Sequence, residues 1–318
     1  MHTLTSIEVP LHIFGAYIII FKTPKSMDSA RTIIFIVHTL CSVMDIYCTF
    51  FLVFVFWVPS PSGYPVGFLS TLGVSSTIQT FIFFNTLLAT GIGFIGLFEN
   101  RHDTLVIGQS GRSESRNFKR FLFFALTFFI CASDIVYVFM SLPDVEIGRI
   151  SVQKQQPCIP MSLINNPGFI HLNIDNYLIP MLTGIIITAL FLQGSFFVIY
   201  TIHNLFFAVR IVSKTTQRMQ RKFFVAMILQ ALIPVTSIVI PMYYLYLAWS
   251  FSYYNQKYNN FAEIAFGMNG FFTTIVMIIV HQPYRKAVKN MFTGTTSDDI
   301  GSKIFRKISV VRTAFVSS

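Results

Sequence analysis

Apolar residues along this chain fall into seven long runs separated by short polar or basic stretches. About twenty consecutive apolar residues already cross a hydrocarbon core as a helix. The runs predict spans at about 4–21, 32–58, 66–98, 121–142, 177–209, 223–251 and 261–280. The third organises the rest. From Val66 to Phe98 it carries no charge, and it ends at Glu99-Asn100-Arg101. Within it Thr71, Ser75 and Gln79 recur every fourth residue, which on one helix places them on a single stripe facing other helices. The first run is barely long enough and is interrupted near its start by Glu8, Pro10 and His12.

The intervening stretches add detail. Pro59, Pro61, Gly63 and Pro65 predict an uncharged turn, and Pro143 to Asn176 is the longest loop between spans. Pro234 and Pro241 lie seven residues apart in the sixth run. They share a helix face, and each removes a backbone donor and kinks the helix. No repeat of solenoid period appears. The fold class is therefore all-α, an integral membrane bundle of seven helices forming one domain over residues 1–284, with a tail over 285–318.

Composition supports the membrane reading: charged types are 11% and hydrophobic types 53%, with 36 Phe, unlike a soluble domain. The excess of 23 Lys plus Arg over 13 Asp plus Glu does not point to nucleic acid, because the basic residues sit between spans rather than on a folded basic face. They set topology instead. The connections after spans one, three and five and the tail hold 20 of the 23, leaving Arg149, Lys154 and Lys257 for the other side. The positive-inside rule then places the N-terminus outside and the tail in the cytoplasm. No basic leader with a small-residue cleavage site opens the chain, so the first span is expected to act as its own insertion signal. Cys41, Cys48 and Cys131 lie inside apolar runs and fit core packing. Cys158 is alone in a polar loop, out of reach of the other three.

Certain residues, in order, resemble the class H family of nematode serpentine chemoreceptors within the Str group. They are Gly15-Ala16-Tyr17, Lys22-Thr23-Pro24-Lys25-Ser26-Met27, Gly63-Tyr64-Pro65-Val66-Gly67, Leu97-Phe98-Glu99-Asn100-Arg101, Gln156-Pro157-Cys158, Gln230 with Ile233-Pro234, Ile240-Pro241, and Val280-His281-Gln282-Pro283-Tyr284-Arg285. The resemblance runs from span one to the end of span seven. It implies a G-protein-coupled receptor for a small environmental molecule, with the plasma membrane of sensory cilia as its place and a heterotrimeric G protein as its partner. Family members carry a longer outer N-terminal tail than the few residues preceding span one here, and no Asn-x-Ser/Thr sequon is present. If a tail cysteine normally pairs with Cys158, the shortened chain has lost that bridge and is expected to fold or reach the surface poorly, or to be non-functional.

Set beside the resemblance, the motifs acquire roles. Glu99, Asn100 and Arg101 end span three where rhodopsin-like receptors place an acid–Arg pair. Arg101 can pair with its acidic neighbour or an adjacent helix in the closed bundle and face a G protein in the open one, or simply anchor the helix to the inner surface. Pro283, Tyr284 and Arg285 are read with this triplet as part of the G-protein coupling switch, the alternative being a plain helix stop, an interfacial aromatic and a phosphate anchor. Asp45 and Asp134 are costly, since a mid-helix carboxylate costs about 2.5–3.5 kcal/mol on insertion scales. Asp45 is expected in a polar network with Asn269, an ion site being its sharper form, and Asp134 in a polar interhelical contact or near the outer surface. His38, His203 and His281 read as interfacial residues; no metal or cofactor is implied. The expected ligand cavity lies between the outer halves of spans three, five, six and seven. Its candidate lining is Ser75, Gln79, Phe83, Tyr243, Tyr244, Tyr246, Glu263 and Phe266, against the alternative that the aromatics only pack. In the tail, Lys286, Lys289, Met291 and Phe292 suggest a helix on the inner leaflet, and Arg306-Lys307-Ile308-Ser309 matches a basic-directed kinase site.

The rival classes lack their signatures. A transporter or channel needs intramembrane charges lining a continuous path, or related halves with broken helices. A retinal photoreceptor needs a lysine in span seven, and an intramembrane enzyme needs a catalytic motif such as His-Glu-x-x-His.

Overall fold

The structure is a computed structural model and describes residues 1–106, 114–172, 178–207 and 213–293. In chain order it comprises α1 (His2–Lys22), α2 (Asp28–Ile46) running into a wide π-helical turn (Tyr47–Leu52), β1 (Phe54–Trp57), β2 (Ser62–Pro65), α3 (Phe68–Thr71), α4 (Ser76–Val106) and α5 (Glu114–Met140). Then come α6 (Val145–Gln155), α7 (Met161–Ile164), β3 (Ile170–His171), α8 (Leu178–Phe206), α9 (Lys214–Pro234) and a second π-helical turn (Val235–Val239). The last elements are α10 (Ile240–Ser250), α11 (Gln256–Gly267), α12 (Asn269–Val280) and α13 (Gln282–Thr293). Six of these helical stretches are long and apolar enough to cross a membrane, and there are seven if α11 and α12, bent by 49°, form one span. Large apolar side chains such as Phe121, Phe129, Phe191, Leu192 and Ile199 point outward from α5 and α8, as helices facing hydrocarbon require.

Several expected boundaries are corrected. The second run does not stay helical to Val58. Helix ends at Leu52, Val53 turns left-handed at φ 37°, and Phe54–Trp57 becomes a strand. An alternation of aromatic and β-branched residues before a proline-rich turn suits a strand better than a helix. The supposed turn at 59–65 is the return of a hairpin, with Phe54 opposite Pro65 and Trp57 opposite Ser62, and β3 adds to the far side of β2. The third span is not one rod from Val66. The chain makes the single helical turn α3 and a positive-φ bend at Gly73 (φ 74°), and α4 starts only at Ser76. At its other end α4 continues past Glu99-Asn100-Arg101 to Val106, so these charges lie within the helix. The loop at 143–176 contains α6, α7 and β3.

Two cores hold the bundle and a third holds the cap. At one end Ile18, Ile34, Leu97, Phe98, Phe224 and Met277 pack with Tyr284. This is the basic end, where Arg101, Arg116, Arg120, Arg221 and Arg285 lie. Nearer the other end Met44, Cys48, Ala262 and Phe266 pack with Phe83 and Leu87. Beyond them Trp57, Val152, Ile159, Ile164 and Phe169 join the hairpin to α6 and α7. The outer edge of β1 is covered by a helix: Phe54 N donates to Glu263 Oε1 (3.1 Å), Gln256 Nε2 to Phe56 O (3.3 Å) and Asn259 Nδ2 to Val58 O (3.4 Å). Positions 256, 259 and 263 share one face of α11, and 54, 56 and 58 present backbone groups to one edge.

Span seven breaks at Met268, where α2 and the π-helical turn after it come too close for side chains on the glycines that flank the break. A Cβ on Gly270 would lie 2.7 Å from Cys41 O and one on Gly267 2.7 Å from the Thr49 methyl. In span six, Pro234 and Pro241 flank the π-helical turn, where Ile240 N–H reaches back to Val235 O.

Candidate functional site

At the basic end the acid–Arg arrangement differs from the expected neighbour pair. Glu99 binds Arg120 of α5, with Arg120 Nε 2.8 Å from Glu99 Oε1 and Nη2 2.5 Å from Oε2. One turn on, Asp103 binds Arg116 through Nη2 (2.6 Å) and Arg120 through Nη1 (3.2 Å). Two acids four residues apart on α4 thus meet two arginines four apart on α5, a spacing readable in the sequence but not singled out. Arg120 Nη2 also reaches Asn100 Oδ1 (3.4 Å). Arg101 turns the other way: its Nη2 donates to Gln220 O of α9 (3.2 Å) and its guanidinium lies 4.9 Å from the Phe223 ring. Spans three and six are clasped there.

Pro283 lies in the first turn of α13. Tyr284 is not an interfacial aromatic: it is fully buried, its hydroxyl 2.9 Å from Thr23 Oγ1, and burial raises its phenol. His281, also read as interfacial, is buried against the Phe223 and Tyr284 rings. Burial lowers its imidazole to about 4. Arg285 Nη1 donates to Ile279 O (3.1 Å). α13 exposes Met291 and Phe292. The tail beyond 293, with Arg306–Ser309, lies outside the described residues, as does Arg210 of the basic connector.

Mid-bundle, Asp45 and Asn269 lie at the joint of span seven but do not bond each other. Asp45 is completely buried and accepts Gly270 N–H on Oδ1 (2.7 Å) and Phe271 N–H on Oδ2 (2.6 Å). It therefore caps α12 from a neighbouring helix, satisfying donors that a new helix start leaves unpaired. Asn269 Oδ1 accepts from Ser237 Oγ of the π-helical turn in span six (2.9 Å). His12 Nε2 lies 3.5 Å from Asp45 Oδ2, and Thr49 Oγ1 lies 3.0 Å from Glu8 Oε2. His38, read as interfacial, is buried with His12 and Thr274. Glu8 and His12 interrupt the apolar pattern of span one, and their i,i+4 spacing on an otherwise apolar helix is the signal in the sequence for this cluster. Asp134 meets Thr183 of α8, 2.8 Å away. Among the described residues no three His, Cys, Asp or Glu side chains are grouped to hold a metal ion.

At the capped end the eight expected lining residues scatter. Ser75 is exposed before α4 begins. The Gln79 side chain donates to Val74 O (2.8 Å) and its own carbonyl accepts from Tyr47 (2.7 Å), so it secures the α3–α4 connection. Tyr243 and Tyr246 point outward. Phe83 and Phe266 pack on each other at 6.2 Å, and Glu263 is engaged with β1. Only Tyr244 lines the cavity observed there, a cleft of about 540 Å³ between α10 and α11 with Pro241, Leu247, Ala248, Tyr258 and Phe261. Its hydroxyl donates to Asn259 Oδ1 (3.1 Å), and Asn259 in turn holds the cap at Val58.

Membrane-length helices with a broken last span, a clasped basic end and a roofed opposite end define a multi-pass helical membrane protein of the serpentine type. The chain belongs to the family described as "Serpentine type 7TM GPCR chemoreceptor Srh", whose profile matches residues 1–294. It is 25% identical over 288 residues to the Caenorhabditis elegans protein named serpentine receptor class H-72, covering 90% of this chain and 82% of that one.

Proposed function

We propose that this protein is a plasma-membrane chemosensory receptor, N-terminus outside, which binds a small, mostly apolar environmental molecule at the capped end and activates a heterotrimeric G protein at the basic end. Tyr244 carries the reading. It lines the cleft and is wired through Asn259 to both α11 and the cap. An occupant pressing on Tyr244 acts on α11, and the joint at Met268 transmits movement of α11 to α12. Span six, which forms one wall of the cleft, is also the helix clasped by Arg101 through Gln220 and Phe223. Ligand binding favours a bundle in which that clasp opens, a population shift that needs no catalysis. The basic connector at 210–222 and α13 on the inner leaflet then meet the G protein. A cleft of this size suits a small organic ligand with one polar group for the tyrosine.

The test is a panel of volatile and water-soluble compounds applied to cells carrying this receptor and a promiscuous Gα, with surface staining. A responding compound should lose its effect in Leu247→Trp, which fills the cleft, while surface level stays unchanged. Coupling should vanish when Arg101→Ala is combined with deletion of 210–222. Full coupling in that variant at normal surface level would sink the proposal.

A further inference from the structure

We propose that the interior where α1, α2 and α12 meet binds a proton at His12, and that this proton is a second input to the joint of span seven, separate from any organic ligand. Hydrogen accounting drives the argument. His38 Nε2 lies 3.0 Å from the His12 carbonyl, which can only accept, so that nitrogen carries His38's hydrogen. Thr274 Oγ1 lies 2.7 Å from Gly270 O, 3.4 Å from His12 Nδ1 and 3.4 Å from His38 Nδ1. One hydroxyl hydrogen faces three acceptors, and the shortest contact takes it. Both Nδ1 atoms then face oxygen lone pairs.

On its other side His12 Nε2 meets Asp45 Oδ2 at 3.5 Å, an oxygen already accepting Phe271 N–H. With Asp45 ionised, a neutral His12 ring has one hydrogen for two acceptor neighbours, so either Thr274 or Asp45 is left facing a bare nitrogen. An imidazolium serves both, with the Asp45 carboxylate as its counter-charge. Among the described residues His38 has no carboxylate within ion-pair distance, which directs the proton to His12.

The surroundings are short of hydrogens in the same way. One turn below His12 on α1, Glu8 Oε1 is buried with no hydrogen-bond partner, and Glu8 Oε2 (3.0 Å) shares the single Thr49 hydroxyl hydrogen with the Asp45 carbonyl (2.9 Å). The titratable groups facing this interior are Glu8 on α1, His38, Cys41 and Asp45 on α2, and Tyr47 and Cys48 on the wide turn that follows. α12 contributes Thr274 and the Gly270 and Phe271 amides, and α11 contributes Glu263, which is engaged with Phe54. Among the described residues, His12 is the only ion-pair partner of Asp45, and no Lys or Arg pairs with Glu8. Proton binding ties α1 to Asp45 and Thr274, the side chains that already hold the first turn of α12. Acid therefore braces the bend of span seven.

The experiment uses the full chain in lipid bilayers with ¹⁵N-labelled histidine, read by solid-state NMR between about pH 8 and pH 5, the range in which imidazole titrates. The signal lost in His12→Gln identifies the ring. It should pass from one bare nitrogen to two protonated ones, and Thr274→Val, which keeps the shape but removes the hydroxyl, should shift that titration to lower pH. The thermal midpoint in the same bilayers should show an acid-side stabilisation, relative to His12→Gln, that grows as pH falls. His281, buried in a separate contact, is common to both chains and cancels. A His12 ring that keeps a bare nitrogen throughout, or a midpoint difference independent of pH, overturns the proposal. If His12→Gln fails to fold, Thr274→Val and Asp45→Asn carry the comparison, and an unaltered His12 titration in both overturns it equally. None of these readouts depends on the receptor reading.

Discussion

Replacing Asp45 by Ala removes the carboxylate that caps α12 across two helices. The two amides it serves, Gly270 N–H at 2.7 Å and Phe271 N–H at 2.6 Å, have no other acceptor in a site closed to water. Leaving a buried donor unpaired costs about 1–3 kcal/mol each. Removing a buried charge gives some of that back, because its own desolvation is relieved. The net expectation is a loss of about 2–4 kcal/mol. Asp45→Asn keeps one accepting oxygen but turns an NH₂ toward the second amide, so about half the loss is expected. The assay is reversible denaturation of the receptor in mixed micelles, with Asp28→Ala as control. Asp28 is exposed and pairs with Arg31 at 3.2 Å along its own helix, so the control should change stability by about 0.5 kcal/mol or less. Should Asp45→Ala prove no less stable than the control, the carboxylate does not hold the joint of span seven.

Other expectations follow from the same geometry. Arg120→Ala takes from Glu99 its arginine while Asp103 keeps Arg116, and should cost about 3 kcal/mol, the low end for a broken buried pair, seen as lost surface yield. Arg116→Ala should cost less because that side chain is 37% exposed. Gly270→Ala would put a methyl 2.7 Å from Cys41 O and should destabilise by about 1–3 kcal/mol in the same denaturation assay, as overpacking does. Tyr284→Phe removes only the Thr23 contact and should cost about 0.5–1.5 kcal/mol; a larger loss would mean that the hydroxyl has a further partner. Phe223→Ala should raise ligand-independent signalling, because it removes one half of the contact that holds Arg101 to span six.

Hydropathy alone located most of the long helices, because a charge-free run of that length has few other stable conformations. It failed where local chemistry competes with length. Phe54–Trp57 is as apolar as a membrane helix, yet it is a strand, and only Glu263, Gln256 and Asn259, some two hundred residues away, supply partners for its edge. The break at Met268 was hidden for a related reason: Gly267 and Gly270 look permissive in one dimension, and the approach of α2 that requires them is a tertiary fact. Asp45 stands out in the sequence as a costly carboxylate and Asn269 as its expected partner, and both lie at that joint, but which groups they bond is set by the bend. The cavity was the least legible feature. A polar stripe drawn over Thr71, Ser75 and Gln79 assumes one continuous helix, and the positive-φ bend at Gly73 divides it.

The covered edge of β1 also sets an order of assembly. A hairpin made from residues 54–65 is complete early in synthesis, while the helix that closes its outer edge is the last membrane segment made. Until Gln256–Gly267 is in place, the backbone groups of Phe54, Phe56 and Val58 are open to pairing with any passing strand. Correct insertion of the final span is therefore reported at the far end of the bundle by the closing of the cap. A chain stalled or truncated before α11 carries an unpaired strand edge open to edge-to-edge association.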